Sequence, residues 1–280
     1  MTSLKETLGH YTWDIAYGSY TPEILSKGLN RSKINIVRNP YINKWFADPF
    51  ILEDNPDAIE LLVEEFDYSV QKGRIARLKI NKKNHTIVEC SIILELPTHL
   101  SFPVIYRRNG EIYVHPENSA SGASYIYRYD RATDKLVDPQ LMINEPLTDA
   151  IIRPEGKSYR MFATRVPDSN GCVLHEYSSE KFFGPYQHCG ENIYPNNTAR
   201  MAGMFIENNG MIVRPSQDCL NGYGNAVIIY DCHTPLCRIA PNTLKYAGIH
   251  TFNTFNGSFV IDLKKYDYPL LYKFIKKIKG

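Results

Sequence analysis

The chain has 280 residues, 43% hydrophobic and 22% charged, a composition that can bury a globular core. Its 32 Lys and Arg against 30 Asp and Glu leave a formal charge of +2, which excludes nucleic-acid binding held by bulk charge. With 20 Tyr, 12 Phe, 17 Gly and 17 Pro, the chain suits strands and turns better than long helices.

The segment Met1–Tyr17 lacks a basic stretch followed by an apolar run, so no secretory leader is expected. No window of 18 apolar residues exists, so no spanning helix is expected. Cys90, Cys172, Cys189, Cys219, Cys232 and Cys237 form no CxxC pair. They read as reduced thiols, mostly buried, in a cytoplasmic protein.

A strand at Lys33–Arg38 precedes the first copy of a short pattern, a small or polar residue, a special residue and then apolar residues. The copies are Ala47–Ile51, Ser101–Ile105, Thr148–Ile152, Ala202–Ile206 and Ile249–Asn253. Their second residues fall at 48, 102, 149, 203 and 250, with steps of 54, 47, 54 and 47. After each comes a turn, often containing Asn-Gly or Gly, and a second β-rich run: Leu61–Phe66, Glu111–His115, Ser158–Ala163, Met211–Arg214 and Ser258–Asp262. A third run follows in four copies, and a fourth precedes the next copy, as at Ile87–Leu94.

Four strands per unit of about 50 residues is the arithmetic of a propeller blade. The expected fold is therefore all-β, one five-bladed β-propeller over residues 1–280, with blades starting near 48, 102, 149, 203 and 250. The last unit lacks room for a fourth strand, so the N-terminal strand is expected to complete blade five and close the ring. A pair of β-sandwiches would explain the hairpins but not the alternating spacing. Residues 266–280 form a basic, apolar tail, read as packed on the domain or as docking on an anionic membrane or a partner protein.

Trp45–Phe50, Asp149–Ile152, and His250-Thr251 ahead of Val260–Asp262 resemble the five-bladed propeller glycosidases, especially family 43 glycoside hydrolases. The run Arg214–Cys219 followed by Tyr223-Gly224 is more similar to the propeller domain of plant glucosamine inositolphosphorylceramide transferases and of formyltransferase-linked proteins of bacterial surface-glycan pathways. The likeness spans roughly residues 30 to 265. It implies a first-blade Asp as general base, a third-blade Asp that tunes and orients, and a fourth-blade Glu as general acid. Asp48 and Asp149 match the first two, whereas the fourth-blade stretch Ala199–Gly203 holds no carboxylate, which argues against ordinary hydrolysis.

Inner propeller strands converge on an axis, so their polar ends face a common funnel. Glycosyl chemistry needs an acid at the leaving oxygen and a carboxylate for the attacking hydroxyl. Asp48 and Asp149 are the expected carboxylates, and Glu64 and Glu117 on second strands the candidate acids. Arg153, Arg165, Arg200 and Arg214 lie in or beside the inner strands of blades three and four. Guanidinium forks suit phosphate or carboxylate, so several of them point to an anionic or activated sugar. His115, Asp218 and His250 join the substrate-binding candidates, and Trp45, Tyr113 and Tyr223 offer rings for sugar stacking. His99, His115 and His250 show no short ligand spacing, so no metal and no cofactor is expected.

The expected function is making or breaking a glycosidic bond to an anionic or activated sugar, through transfer during assembly of a cell-surface polysaccharide. The expected partners are a sugar nucleotide or sugar phosphate and a glycan acceptor, with no nucleic acid. The alternatives are a non-catalytic glycan-binding propeller that serves a separate transferase, and a glycoside hydrolase.

Overall fold

The computed structural model describes residues 10–29, 34–208, 210–241 and 245–267. It holds five four-stranded antiparallel sheets, the blades of a propeller. Blade one comprises β3 (Lys44–Asp54), β4 (Ala58–Asp67), β5 (Lys72–Asn81) and β6 (Thr86–Leu94). Blade two comprises β7 (Ser101–Arg108), β8 (Glu111–Glu117), β9 (Ser124–Asp130) and β10 (Lys135–Ile143). Blade three has β11 (Leu147–Glu155), β12 (Ser158–Arg165), β13 (Val173–Ser179) and β14 (Gln187–Ile193). Blade four has β15 (Ile206–Asn208), β16 (Met211–Asp218), β17 (Ala226–Asp231) and β18 (Thr234–Ile239).

Blade five is assembled from both chain ends. Its inner strands are β19 (Phe252–Phe255) and β20 (Ser258–Asp267), and its outer strands are β1 (His10–Ser19) and β2 (Asn35–Ile36). Closure by an N-terminal strand is observed, but it takes two strands. β1 pairs with β20 along ten residues, from His10↔Asp267 to Ser19↔Ser258, and overlaps the segment Met1–Tyr17, where the sequence pattern predicts no strand. Between β1 and β2, the single helical turn α1 (Ile24–Lys27) buries Ile24 and Leu25.

The recurring second residue proves to be a backbone device. Asp48, Phe102 and Asp149 have φ of 51°, 44° and 50°, and Gly203 has φ 153°. In blades one to three the strand register jumps there, between Ala47 and Phe50, Ser101 and Val104, and Thr148 and Ile151. Such bulges re-aim a side chain at the price of a local ladder break. Aspartate tolerates left-handed backbone better than most residues, whereas Phe102 is held there by complete burial. Gly203 is required sterically, because a Cβ would sit 2.2 Å from the Phe252 carbonyl oxygen.

Hydrogen bonds near the axis join every neighbouring pair of blades. Phe102 N donates to Asp48 Oδ2 (3.1 Å), Ile152 N to the Tyr106 hydroxyl (2.7 Å), and Gln217 Nε2 to Asp149 Oδ2 (2.7 Å). Met204 N donates to Asn253 Oδ1 (3.0 Å), and Asn253 Nδ2 to the Pro49 carbonyl (3.0 Å). Between the sheets the core is filled by fully buried Leu61, Leu62, Phe102, Tyr177 and Phe259. The six thiols are unpaired, but only Cys219 is buried, while Cys189 and Cys232 are exposed; this differs from the expectation that most lie inside. Beyond residue 267 the basic tail lies outside the described residues.

Candidate functional site

The bulged ends of the inner strands face the C-terminal ends of the second strands, and this pairing builds the site. Ala47 is opposite Glu64, and Ser101 is opposite Glu117, so each bulge sets a second-strand acid beside it. Asp48, Glu64, Asp149 and Glu117 are close enough to feel one another's charge. The charge of Asp48 raises both Glu64 and Asp149, and that of Glu117 also raises Asp149.

His250 sits at the junction of blades five and one, 1% exposed on its side chain. Its Nε2 is 2.9 Å from Asp48 Oδ1 and its Nδ1 is 2.8 Å from Asp262 Oδ2. Burial disfavours the charged ring, but the Asp262 and Asp48 carboxylates outweigh it and push the imidazole up to about 10. Burial also works against charge on Asp262, yet His250 and Thr251 hold that carboxyl below its usual range. Asp262 accepts from His250 N (2.9 Å), Thr251 N (3.1 Å), Thr251 Oγ1 (2.7 Å) and Asp48 N (3.1 Å). The three ligating groups lie within 4.8 Å of one another, but the imidazolium has both nitrogens against carboxylates and offers a cation no lone pair.

Trp13 of β1 covers this ring, with centroids 4.1 Å apart, and Tyr223 approaches it edge-on at 5.1 Å. The close approach of Trp13 depends on Gly224 (φ 69°), where a Cβ would lie 2.4 Å from the indole. Burial pushes the Tyr223 phenol well above its ordinary value.

Glu64 is buried, and this desolvation, opposed by His99 and supported by Asp48, pushes its carboxyl up to about 7. His99 Nδ1 accepts from Gly73 N (2.9 Å), which leaves Nε2 as the protonated nitrogen, 3.1 Å from Glu64 Oε1. Asp149 is likewise raised by burial, against the pull of Arg200, to about 6. Arg200 Nε donates to Asp149 Oδ2 at 2.6 Å and Nη1 to Asn170 Oδ1 at 2.8 Å. Its Nη2 has no acceptor among the described residues. Glu117 accepts from Ser101 Oγ and Ser119 N, both at 2.7 Å.

The structure thus brings Asp48, Asp149, Glu64, Glu117, Arg200, His250 and Tyr223 together and places the other candidates elsewhere. Arg153 lies further along β11, over the rings of Phe162 and Phe205. Arg165 pairs with Glu145 (3.0 Å) and lies 3.8 Å from Glu191. Arg214 is buried against Tyr194 and donates to the carbonyls of Ala199 (2.9 Å) and Thr198 (3.2 Å), so it holds a turn rather than an anion. His115 is buried against Ser124 Oγ at 2.6 Å, and burial pushes it down to about 4, a neutral core histidine. Asp218 binds Arg238 and Asn225 (both 3.1 Å) within blade four. Trp45 stacks on Phe66, and Tyr113 meets Phe183 edge-on.

Asp262, Trp13, His99, Gln217 and Asn170 are site members that sequence reasoning did not choose. Asp262 carried a readable signal, an acid inside the apolar run Phe259–Leu263. Trp13 carried none, because its place depends on ring closure.

The family described as glucosamine inositolphosphorylceramide transferase 1, N-terminal, matches residues 34–238. The chain is 27% identical over 197 residues to glucosamine inositolphosphorylceramide transferase 1 of Oryza sativa subsp. japonica, covering 68% of this chain and 26% of that protein. The Arabidopsis thaliana counterpart is 28% identical over 192 residues, covering 66% and 25%. The chain therefore spans about a quarter of the length of these curated relatives. Among solved structures, the catalytic domain of Coprinopsis cinerea GH62 α-L-arabinofuranosidase superposes with TM-score 0.57 at 8% identity, covering 87% of this chain and 85% of that one. That likeness concerns the fold alone.

Proposed function

Because the chain belongs to the family of glucosamine inositolphosphorylceramide transferase 1 N-terminal regions, we propose that it is carbohydrate-active and transfers a sugar from an activated or phosphorylated donor. The observation that carries this reading is a proton-holding acid, Glu64, beside the Asp48 carboxylate at the same end of the ring. A carboxyl group whose burial raises its hold on a proton is suited to an acid role. Asp48 takes the proton of the acceptor hydroxyl as its oxygen forms the new bond to the anomeric carbon. The bond from that carbon to the leaving oxygen breaks, and Glu64 supplies a proton to the departing group. Asp149 fixes Arg200, whose remaining Nη2 meets the anionic leaving group. Sugar transfer of this kind fits the assembly of a surface glycan.

Thermal-shift titration with sugar nucleotides, nucleoside diphosphates, sugar phosphates and neutral oligosaccharides tests the donor. Stabilisation by a phosphorylated compound, lost in Arg200→Gln, supports transfer. A shift with neutral glycans alone overturns the activated-donor reading.

A second reading, a glycan-binding propeller serving a separate transferase, is favoured by the fourth-blade stretch Ala199–Gly203, which holds no carboxylate where the resemblance expects an acid. It predicts ligand affinity that survives Glu64→Gln, with no turnover of any sugar nucleotide.

A further inference from the structure

Blade three carries a second cluster on its outer strands, remote in role from the funnel. The ladder between β13 and β14 pairs His175 with Glu191, Glu176 with Gly190 and Tyr177 with His188, so Cys189 is an extra, unpaired residue. In a regular strand, positions three apart point to opposite faces. The bulge at Cys189 resets the alternation, so His188 and Glu191 share the face of His175. Cys189 itself turns to the other face, where its sulfur accepts from Arg160 at 3.0 Å.

We propose that His175, His188 and Glu191 form a zinc site, with water in the fourth position. Glu191 Oε1 lies 3.0 Å from His175 Nδ1 and 3.6 Å from His188 Nε2. Ligand atoms about 2.0–2.1 Å from a tetrahedral zinc stand roughly 3.3 Å apart, so these spacings fit. His175 Nδ1 is buried, and its 3.0 Å approach to Glu191 Oε1 falls short of good hydrogen-bond geometry. A buried nitrogen without a partner is costly, and a cation between it and the carboxylate removes that cost. Two imidazoles and a carboxylate are a borderline donor set suited to zinc. Arg165, 3.8 Å from Glu191, is the guanidinium facing the cluster among the described residues; its charge also acts on His175, and Glu145 at 3.0 Å offsets part of it. A bound ion would pin the exposed edge strand β14 to β13.

The test uses the full chain, stripped with EDTA and titrated with ZnCl2 by calorimetry. One zinc per chain is expected, with a rise in Tm. Outer-shell partners alone are worth about 10–100-fold in metal affinity, so His188→Ala or Glu191→Gln should weaken binding by at least about tenfold. Both side chains are well exposed, and an unchanged Tm in EDTA certifies the variants as folded. Cobalt in place of zinc should give visible bands without a thiolate charge-transfer band. Absence of zinc uptake, uptake equal in wild type and His188→Ala, or a thiolate band would each overturn the site. None of these outcomes bears on the funnel chemistry.

Discussion

His250 stands 2.9 Å from Asp48, and this ion pair links blade five to the start of blade one. The two residues are 202 positions apart, so their contact exists only in the closed ring. Asp262 secures the other face of the imidazole, and the three groups form one buried charged unit. Asp262 also accepts from His250 N, Thr251 N, Thr251 Oγ1 and Asp48 N, so replacing it breaks a buried ion pair and leaves buried donors short of an acceptor. Asp262→Asn should therefore destabilise the protein by about 3–5 kcal/mol in urea unfolding. A loss below about 1 kcal/mol would show that the closure does not depend on it.

The same unit sets a pH window. His250 is raised in the folded state, so its contribution is fully present below the ordinary histidine value near 6.5 and fades as pH rises through about 10. Asp262 is lowered, so its contribution is present above the ordinary carboxyl value and fades as pH falls below it. In Asp262→Asn one of the two carboxylates that raise His250 is gone, so the alkaline fall should begin at lower pH. Urea midpoints measured from pH 6 to about 10 in both proteins check this, and superimposable alkaline limbs would contradict it.

Glu64 offers the opposite case. Its folded value is raised from 4.5 to about 7, so ionisation costs stability as pH climbs through that interval. Glu64→Gln keeps the shape and an acceptor for His99 but carries no charge. It should match wild type near pH 5 and gain on the order of 2 kcal/mol at pH 8. Equal thermal stability at both pH values would show that Glu64 is not held by desolvation.

Asp48→Asn keeps a residue that tolerates the left-handed backbone at φ 51°. It also removes a carboxylate from the buried unit with His250, so it should lose stability much as Asp262→Asn does. Turnover is therefore compared at a temperature where urea unfolding shows the variant folded. Loss of a general base typically costs about 10²–10⁴-fold in rate. Once a donor is found by thermal shift, turnover by Asp48→Asn within tenfold of wild type would remove Asp48 from the base role.

Gly203→Ala tests the backbone device of blade four. A methyl group would meet the Phe252 carbonyl at 2.2 Å, so either the blade four–five contact opens or the strand shifts. A loss of about 2 kcal/mol or more is expected. A Tm equal to wild type would mean that the close approach can relax freely.

The sequence by itself determined the blade number and the five repeated positions, at three of which the strands prove to bulge. Hairpin turns and alternating apolar runs are local, and their repeat at steps of 54 and 47 residues is countable without coordinates. It also exposed Asp48 and Asp149, because each occupies a repeated position that breaks an apolar strand. Only the tertiary structure decided which charges meet. Four arginines looked alike in the chain, yet Arg214 is spent on carbonyls and tyrosine rings, Arg165 on Glu145 and Arg153 on aromatic faces, while Arg200 alone reaches Asp149. Likewise β1 offers no repeat spacing of its own, since its partner β20 lies at the far end of the chain. Periodicity is written in neighbouring residues, whereas ring closure and ion pairing depend on distances between segments that the linear order leaves unspecified.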